Sequence, residues 1–514
     1  MSSRTSAGTA TKRPRVLFLP KNSRTGYFRA LLAAGRAKLN WQIDVVCPDS
    51  DRPVWRDAVS SPDAFHLLPQ FSERQAWEDD PGRVAEIDAL IGECERANGV
   101  SASRIILTGE RDIGRGFSRA YYYWFHNKIA RRVLADNNEP FRIVRRIFAF
   151  ALETINESKP DLVLAGEWAD PVCFTFYIVA RRMGIRCTVN RPSKIWSGRC
   201  YWSDDLRWYN LAARDRVAGM RASGAPVSDR ARERIASFRS APTTLGYVRK
   251  NWDADERRRW FGAHTELLRL LAAQLRHYFA RRSGPQPKPA LQLAFDHYRR
   301  PLLKWRQARY FRGFGADELR EMRYLYVAMH KDPEQALNGQ APFWSNQYNT
   351  IALLCSLLPA GYKLLVREHR RNVGRRPTRF YQDLSRLPSV ILVESFDDQF
   401  KYITNADLIV TENGSTGWEG LLLGRRVITL ADNFYQAAGL AHRVRDPEQL
   451  PASVVEILQQ SAMKDANAYD QALGWILDAE WETTVPLDRV DAALDQLAEM
   501  LSPRVHASRA PSPA

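Results

Sequence analysis

Residues 404–430, TNADLIVTENGSTGWEGLLLGRRVITL, constrain the fold of this chain more than any other stretch. The run 406–410 is mostly apolar and β-type, long enough for a buried strand and too short for a helix. Glu412, Asn413 and Gly414 come next as a turn, in which glycine is free to take a positive φ. Thr416 and Glu419 stand at the S/T-x-x-E spacing of a capping box, which predicts a helix opening there and ending near Gly424. The next strand is 426–430. Strand, glycine-bearing loop, capped helix and strand make one βαβ unit. Such units bind ligands at the carboxyl ends of their strands, where the N–H groups of a helix start attract phosphate. A capping box alone belongs equally to any ordinary α/β domain, so the neighbouring segments have to decide.

Upstream, strands and helices alternate from residue 324. The strands YLYVAM, YKLLVR and SVILVE are each succeeded by helical stretches, near 344–358, 378–386 and 397–403. This pattern predicts a parallel, doubly wound sheet. Segments 434–443 and 447–502 are mostly helical. The other end of the chain opens similarly, with a strand at 15–19, a loop bearing Lys21, Asn22, Ser23 and Arg24, a helix at 28–39 and a strand at 42–46. That loop lacks the G-x-G-x-x-G dinucleotide fingerprint. Helical stretches at 82–98 and 117–158, a strand at 161–165, a helix at 172–183, a strand at 185–190 and a polar loop, RPSKIWSGR, complete an N-terminal α/β domain. The expected layout is a disordered tail to residue 13, domains at 14–203 and 321–445, a helical basic segment at 204–320, C-terminal helices at 446–502 and a second tail at 503–514.

The formal net charge of +17 in 514 residues calls for an anionic partner. Between Arg276 and Arg323, twelve Lys and Arg stand against four Asp and Glu, interleaved with Trp305, Tyr310, Phe311 and Phe314. Such a run is either a solvated helix face or a surface that rests on anionic lipid headgroups. Neither an RNA-binding signature nor a zinc-finger spacing accompanies the charge, so nucleic acid is not the expected partner. No run approaches the 18 or so apolar residues of a membrane span, and no signal-peptide core precedes Pro20, which points to the cytoplasm. The six cysteines are scattered without a C-x-x-C pair, as in a reduced protein with no zinc site.

In a parallel sheet the loops after successive strands share one edge. Here they carry His330, Lys331 and Glu334; then Arg367, Glu368 and His369; then Glu394 and Ser395; then Glu412, Asn413, Gly414, Ser415 and Thr416. Polar strand-end loops are common, but two histidines, several cations and a Gly-Ser-Thr helix start on one edge predict a ligand site, with phosphate as the ligand group.

Four segments at 324–436 resemble, in order and at sensible spacing, the bacterial capsule polysaccharide biosynthesis family. LYVAMHKDPE, residues 325–334, is similar to its YV…LH…PE segment. LVREH, residues 365–369, is similar to vKeHP, with Arg370 in place of the proline. ENGSTGWE, residues 412–419, with Gly424, Val427 and Ile428, is similar to nGSTgwEal..GkpVI, and Asn433, Phe434 and Tyr435 resemble the family's next segment. The resemblance implies a GT-B-like fold, two Rossmann-like parallel-sheet domains facing a cleft. It implies a glycosyltransferase that takes a nucleotide sugar, CMP-Kdo among the family's donors, to a glycolipid or polysaccharide acceptor. By the same resemblance His369 and the Ser415/Thr416 helix start hold the donor phosphate, with His330 as the rival for the role of His369. His330, Lys331, Glu334, Arg367, Glu368, Asn413 and Gly414 line the donor side. Glu419 either reaches the ribose or closes its capping box.

The acceptor side falls to Lys21, Asn22, Ser23 and Arg24. A catalytic carboxylate is expected from Glu167 or Asp170, residues that a helix N-terminus favours in any case. No cofactor or metal is expected. The predicted protein is cytoplasmic and peripheral on the inner face of the cytoplasmic membrane. Two other readings keep the same fold, a nucleotide-sugar epimerase and a CDP-polyol phosphotransferase. A third is a non-enzymatic basic scaffold that binds nucleotides or nucleic acid.

Overall fold

The computed structural model describes residues 13–20, 24–59, 61–69, 71, 73–108, 138–166, 170–205, 209–243, 268, 272, 290–332, 334–459 and 465–501. The expectations placed on Lys21, Asn22, Ser23 and Glu167, on the helical stretch 117–137, on the 276–289 part of the basic run and on the tail at 503–514 fall outside these residues, as does all but Arg13 of the first tail.

Two sheets organise the chain. The first combines β1 (Arg15–Leu19), β2 (Gln42–Cys47), β3 (Phe65–Leu67), β4 (Leu162–Ala165), β5 (Arg186–Pro192), β6 (Arg199–Ser203) and β13 (Val485–Pro486), in the order β3-β2-β1-β4-β5-β6-β13. Its first five strands are parallel, and β6 and β13 are antiparallel additions. The second combines β7 (Tyr324–Ala328), β8 (Lys363–Arg367), β9 (Val390–Val393), β10 (Leu408–Thr411), β11 (Val427–Thr429) and β12 (His442–Arg443), all parallel, in the order β12-β11-β10-β7-β8-β9. Each sheet winds outward through three strands and then returns to the side of its first strand. The resulting switch points, β1/β4 and β7/β10, are where open α/β sheets bind ligands. This is the architecture of two Rossmann-like parallel-sheet domains that the sequence predicts.

Central strands of such sheets are covered on both faces, so they read as continuous apolar runs rather than alternating ones. The LVLA of β4 and the LIVT of β10 are buried at every position. Fully burying each of Leu408, Ile409 and Val410 contributes about 1.5–3 kcal/mol.

Four strands escaped the sequence pattern. β3, β12 and β13 are too short for periodicity to register, so that 434–443, expected to be mostly helical, holds one 3-10 turn and then β12. β6 emerges where the polar loop 191–199 turns back antiparallel on β5. The tail of the chain also behaves differently from a simple cover on the second sheet. Helix Ala466–Thr483 packs against helices Leu211–Ser223 and Asp229–Ser240, β13 then joins the first sheet, and helix Val490–Leu501 packs on helix Thr25–Leu39. Trp202 Nε1 donates to the Ala493 carbonyl at 2.7 Å and fixes this return.

Helix α1 (Ser415–Leu422) corrects two expectations. It opens one residue before Thr416, with Gly414 as N-cap and no side-chain cap, so the Thr416/Glu419 capping box does not form. Gly414 has φ −71° rather than a positive value. Glycine is needed there for space: a Cβ would stand 2.9 Å from Thr411 Oγ1 and 3.5 Å from the His330 ring. The same holds for the next two glycines of the helix. A Cβ on Gly417 would meet Tyr435 Oη at 2.3 Å, and one on Gly420 would meet Ile409 Cδ1 at 2.3 Å. The positive φ of this unit belongs to Gly424, at 71°, where the N–H of Arg425 closes on the Gly420 carbonyl at 2.8 Å.

Gly420→Ala is therefore expected to destabilise the protein by about 1–3 kcal/mol through overpacking against β10. Gly219→Ala, in a helix with open space around the site, is expected to stabilise it by about 0.5–1 kcal/mol. Urea unfolding of the two variants checks the contrast, and equal effects would remove the packing account.

Candidate functional site

The β7/β10 switch point gathers most of the predicted side chains. At its centre is the start of α1, whose first-turn N–H groups at Ser415 and Thr416 have no acceptor among the described residues. Thr411 Oγ1 accepts from the Gly414 N–H at 3.1 Å, and Tyr435 Oη donates to the Gly414 carbonyl at 3.0 Å, so the turn is held from both sides. Asn413 donates to Gln340 Oε1 at 2.6 Å, tying this turn to the loop after β7.

The two histidines sit in opposite electrostatic settings. His330 is buried, and its Nε2 lies 3.2 Å from Glu412 Oε2. Burial disfavours its imidazolium, but Glu412 and then Glu334 outweigh that cost and raise its pKa above the ordinary histidine value. His369 has its pKa pushed down to about 3, first by burial and then by the positive field of His330, Lys331, Arg371 and Arg367. It is therefore neutral near pH 7. Its Nδ1 accepts from the Arg371 N–H at 3.2 Å, which places the ring proton on Nε2 as a donor.

Other predicted residues are absorbed into the walls of the site. Glu368 is fully buried. Its Oε2 accepts from Arg376 Nε at 2.8 Å and Tyr381 Oη at 2.9 Å, and its Oε1 accepts from the His369 N–H at 2.7 Å. Arg376 continues to Asp332 Oδ2 at 3.1 Å. Arg367 donates to Gln399 Oε1 and to the carbonyls of Ser395 and Asp397, each at 2.9 Å. Gln399 in turn donates to Glu419 Oε2 at 3.0 Å. Glu419 has no exposed surface, and burial pushes its pKa up to about 8. Arg370, in the position of the family's proline, donates to the carbonyls of Ser395 at 3.1 Å and Asp397 at 3.2 Å. These contacts orient the strand-end loops. Lys331 and Glu334 stay part-exposed at the rim.

At the first sheet, Asp170 caps helix Pro171–Arg182 by accepting from the Cys173 N–H at 2.8 Å. Arg24 donates to Asn190 Oδ1 at 2.5 Å and to its carbonyl at 2.6 Å, and burial lowers its pKa. Beyond β5, the polar loop bears Lys194, which sequence reasoning passed over. Burial brings its pKa down to about 8 while Glu334, from the second domain, acts against that. Glu334, after a strand of the second sheet, thus acts through space on Lys194, after a strand of the first. The signal was a lysine after a parallel strand, but its facing carboxylate lies 140 residues away. Among the described residues no three His, Cys, Asp or Glu side chains gather as a metal-ligand set.

The chain matches no family model and no curated protein. Similar solved structures include a UDP-GlcNAc 2-epimerase from Methanocaldococcus jannaschii, at 10% identity over 91% of this chain and 98% of that one, with a TM-score of 0.25. Another is the UDP-GlcNAc 2-epimerase from Neisseria meningitidis bound to UDP-GlcNAc, at 12% identity over 95% and 99%, with a TM-score of 0.28. A β-Kdo 2,7-transferase from Thermosulfurimonas dismutans is 9% identical over 68% of this chain and 90% of that one, with a TM-score of 0.29. Likeness this slight decides nothing about the reaction. The class rests on the topology, a two-domain Rossmann-like α/β protein with a polar site at the second switch point.

The raised pKa of Glu419 has a consequence for stability. Its unfolded carboxyl titrates near 4.5 and its folded one near 8, so the folded state holds more protons between those values. The stability contributed by the neutral group is complete below the lower value and lost as pH rises through the upper one. The melting temperature of the wild type is thus expected to fall more steeply than that of Glu419→Gln between pH 5 and 9. Parallel curves would mean that Glu419 is ionised in the fold.

Proposed function

We propose that the protein is a GT-B-like glycosyltransferase that moves a sugar from a nucleotide-sugar donor to a glycolipid or polysaccharide acceptor in bacterial surface polysaccharide synthesis. The observation that carries this reading is the helix start at Ser415 and Thr416, with free N–H groups at a switch point and His330 against its N-cap. Displacement at an anomeric carbon builds negative charge on the departing nucleotide, and fixed N–H dipoles and donors aimed at that charge lower the barrier. His369 donates from Nε2 to a phosphate oxygen, and Lys331, with Lys194 from the other domain, adds positive charge at the rim. The motif resemblance at 325–334, 365–369 and 412–435 favours CMP-Kdo as the donor and capsule as the product. Glu167 is assigned the carboxylate that faces the acceptor, because Asp170 is engaged by the Cys173 N–H. Arg24 belongs to the acceptor side, together with Lys21, Asn22 and Ser23.

His369→Ala is expected to lower turnover by about 10²–10³ with a much smaller change in donor binding, since its hydrogen bond strengthens as the leaving group gains charge. Nucleotide release monitored with and without a glycolipid acceptor measures both turnover and reaction class. Normal turnover in a folded variant would remove the role of His369, and release of nucleotide without acceptor would favour an epimerase.

The reading also assigns the protein to a membrane surface. No helix among the described residues is long and apolar enough to cross a membrane. Helix Ala290–Ala308 instead turns Leu302 (48% exposed) and Trp305 (75% exposed) outward beside the exposed Arg306 and Arg309, while Gln307 is buried against the Arg376 carbonyl at 2.8 Å. An apolar pair ringed by arginines suits an anionic headgroup layer, each basic residue contributing about 1 kcal/mol. Flotation with anionic vesicles is expected at low salt and is expected to weaken at high salt and in Trp305→Ser. Equal flotation with neutral vesicles would refute this surface.

A further inference from the structure

His330 lies two residues beyond β7 with its backbone fully engaged. Its N–H donates to Gln347 Oε1 at 2.7 Å, and its carbonyl accepts from Gln347 Nε2 at 3.2 Å and Asn372 Nδ2 at 3.3 Å. The residue is 9% exposed, and the Glu412 that faces its Nε2 at 3.2 Å is 2% exposed. The ring also lies against the N-cap of α1, since Cε1 and Nε2 are each 3.5 Å from where a Cβ on Gly414 would stand. Among the described residues neither Nε2 nor Glu412 Oε2 makes a hydrogen bond, so the two meet as an ion pair, and no hydrogen bond engages Nδ1. An imidazole bound to a carboxylate through one nitrogen keeps the other for a partner outside the protein.

We propose that Glu412 holds His330 as an imidazolium whose Nδ1–H, with the Ser415 and Thr416 N–H groups, binds a phosphate of the nucleotide. Glu412 is then a positioning residue of the site, and the inference rests on the donor-site reading. Dry surroundings and the positive end of α1 both oppose a charged imidazole, and Lys194 adds to that opposition. Glu412 at contact distance and Glu334 beyond it supply the compensating negative charge, and the neighbouring His369 stays neutral. The two histidines therefore divide the work, His330 as a charged donor and His369 as a neutral one. Because only the imidazolium offers Nδ1–H while its Nε2–H faces Glu412, donor affinity falls as pH rises through the folded pKa of His330.

Calorimetric titration with CMP-Kdo and with UDP-N-acetylglucosamine tests this, since the phosphodiester charge of each stays constant between pH 5.5 and 9. Wild-type affinity for whichever donor binds is expected to drop about tenfold across that range, the loss of one charge-assisted hydrogen bond. Glu412→Gln is expected to move the midpoint of that drop to lower pH by about one unit or more. His330→Lys, which keeps a cation, is expected to flatten the profile. The titration of the His330 ring protons by NMR in the free protein gives a readout that needs no ligand. A pH-independent wild-type affinity, or a His330 titration that is the same in wild type and folded Glu412→Gln, would overturn the inference and leave the donor site standing. Failure of every nucleotide sugar to bind at any pH, beside a His330 titration that shifts in Glu412→Gln, would overturn the donor-site reading and with it the phosphate role of His330.

Discussion

The close seat of helix Ser415–Leu422 on β10 is the constraint on which the rest of the second domain depends. Gly414, Gly417 and Gly420 are spaced by three, so one side of the first two turns carries no Cβ. Ile409, Tyr435 and His330 occupy the space thus released. Trp418 stacks on Tyr435 with the rings 24° apart, and Tyr435 reaches back to hold the Gly414 carbonyl. The segment that looks most like a ligand motif is thus first a packing device. Its ligand-binding capacity is a result of that packing, because a helix pressed this close to its strand presents its first N–H groups at the mouth of the switch point.

Around that helix the strand ends are fixed by buried polar networks rather than by apolar contact. Glu368, Arg376 and Asp332 form one, and Arg367, Gln399 and Glu419 form another. Such networks are weak contributors to net stability, because desolvation offsets their Coulombic gain, but removing one member leaves a costly unpaired group. Their effect here is geometric. They hold the loops after β7, β8 and β9 in one arrangement, with His330 against the helix start and His369 in the electrostatic field of His330.

The two domains are joined by more than the chain between them. Glu480, buried on helix Ala466–Thr483, accepts from Ser193 Oγ at 2.8 Å and from Asn210 Nδ2 at 3.2 Å, on the loop beyond β5 and at a helix start of the intervening segment. Arg199 lies over the Trp481 ring at 4.0 Å. These contacts hold the loop that carries Lys194 on the C-terminal helix, and Tyr469 of the same helix donates to the Leu421 carbonyl of the second domain at 2.8 Å. The C-terminal helices, far from either half of the site in sequence, thus touch both domains.

The sequence by itself determined the alternation of strands and helices, both parallel sheets and the edge on which His330, His369, Ser415 and Thr416 assemble. Those features depend on local periodicity and on the direction of parallel strands, which a single chain displays in full. It left β3, β6, β12 and β13 unread, since strands of two or three residues, or ones that reverse in a polar loop, carry no periodic signal. It also misjudged Glu419, whose spacing fits a capping box while its place on the inner face of the helix sends it to Gln399. Only the tertiary structure decided the charges. Whether a histidine is neutral, like His369, or favours its charged form, like His330, depends on burial and on carboxylates brought near from other strands. Desolvation and Coulomb fields act through space, so the order of residues along the chain does not contain them.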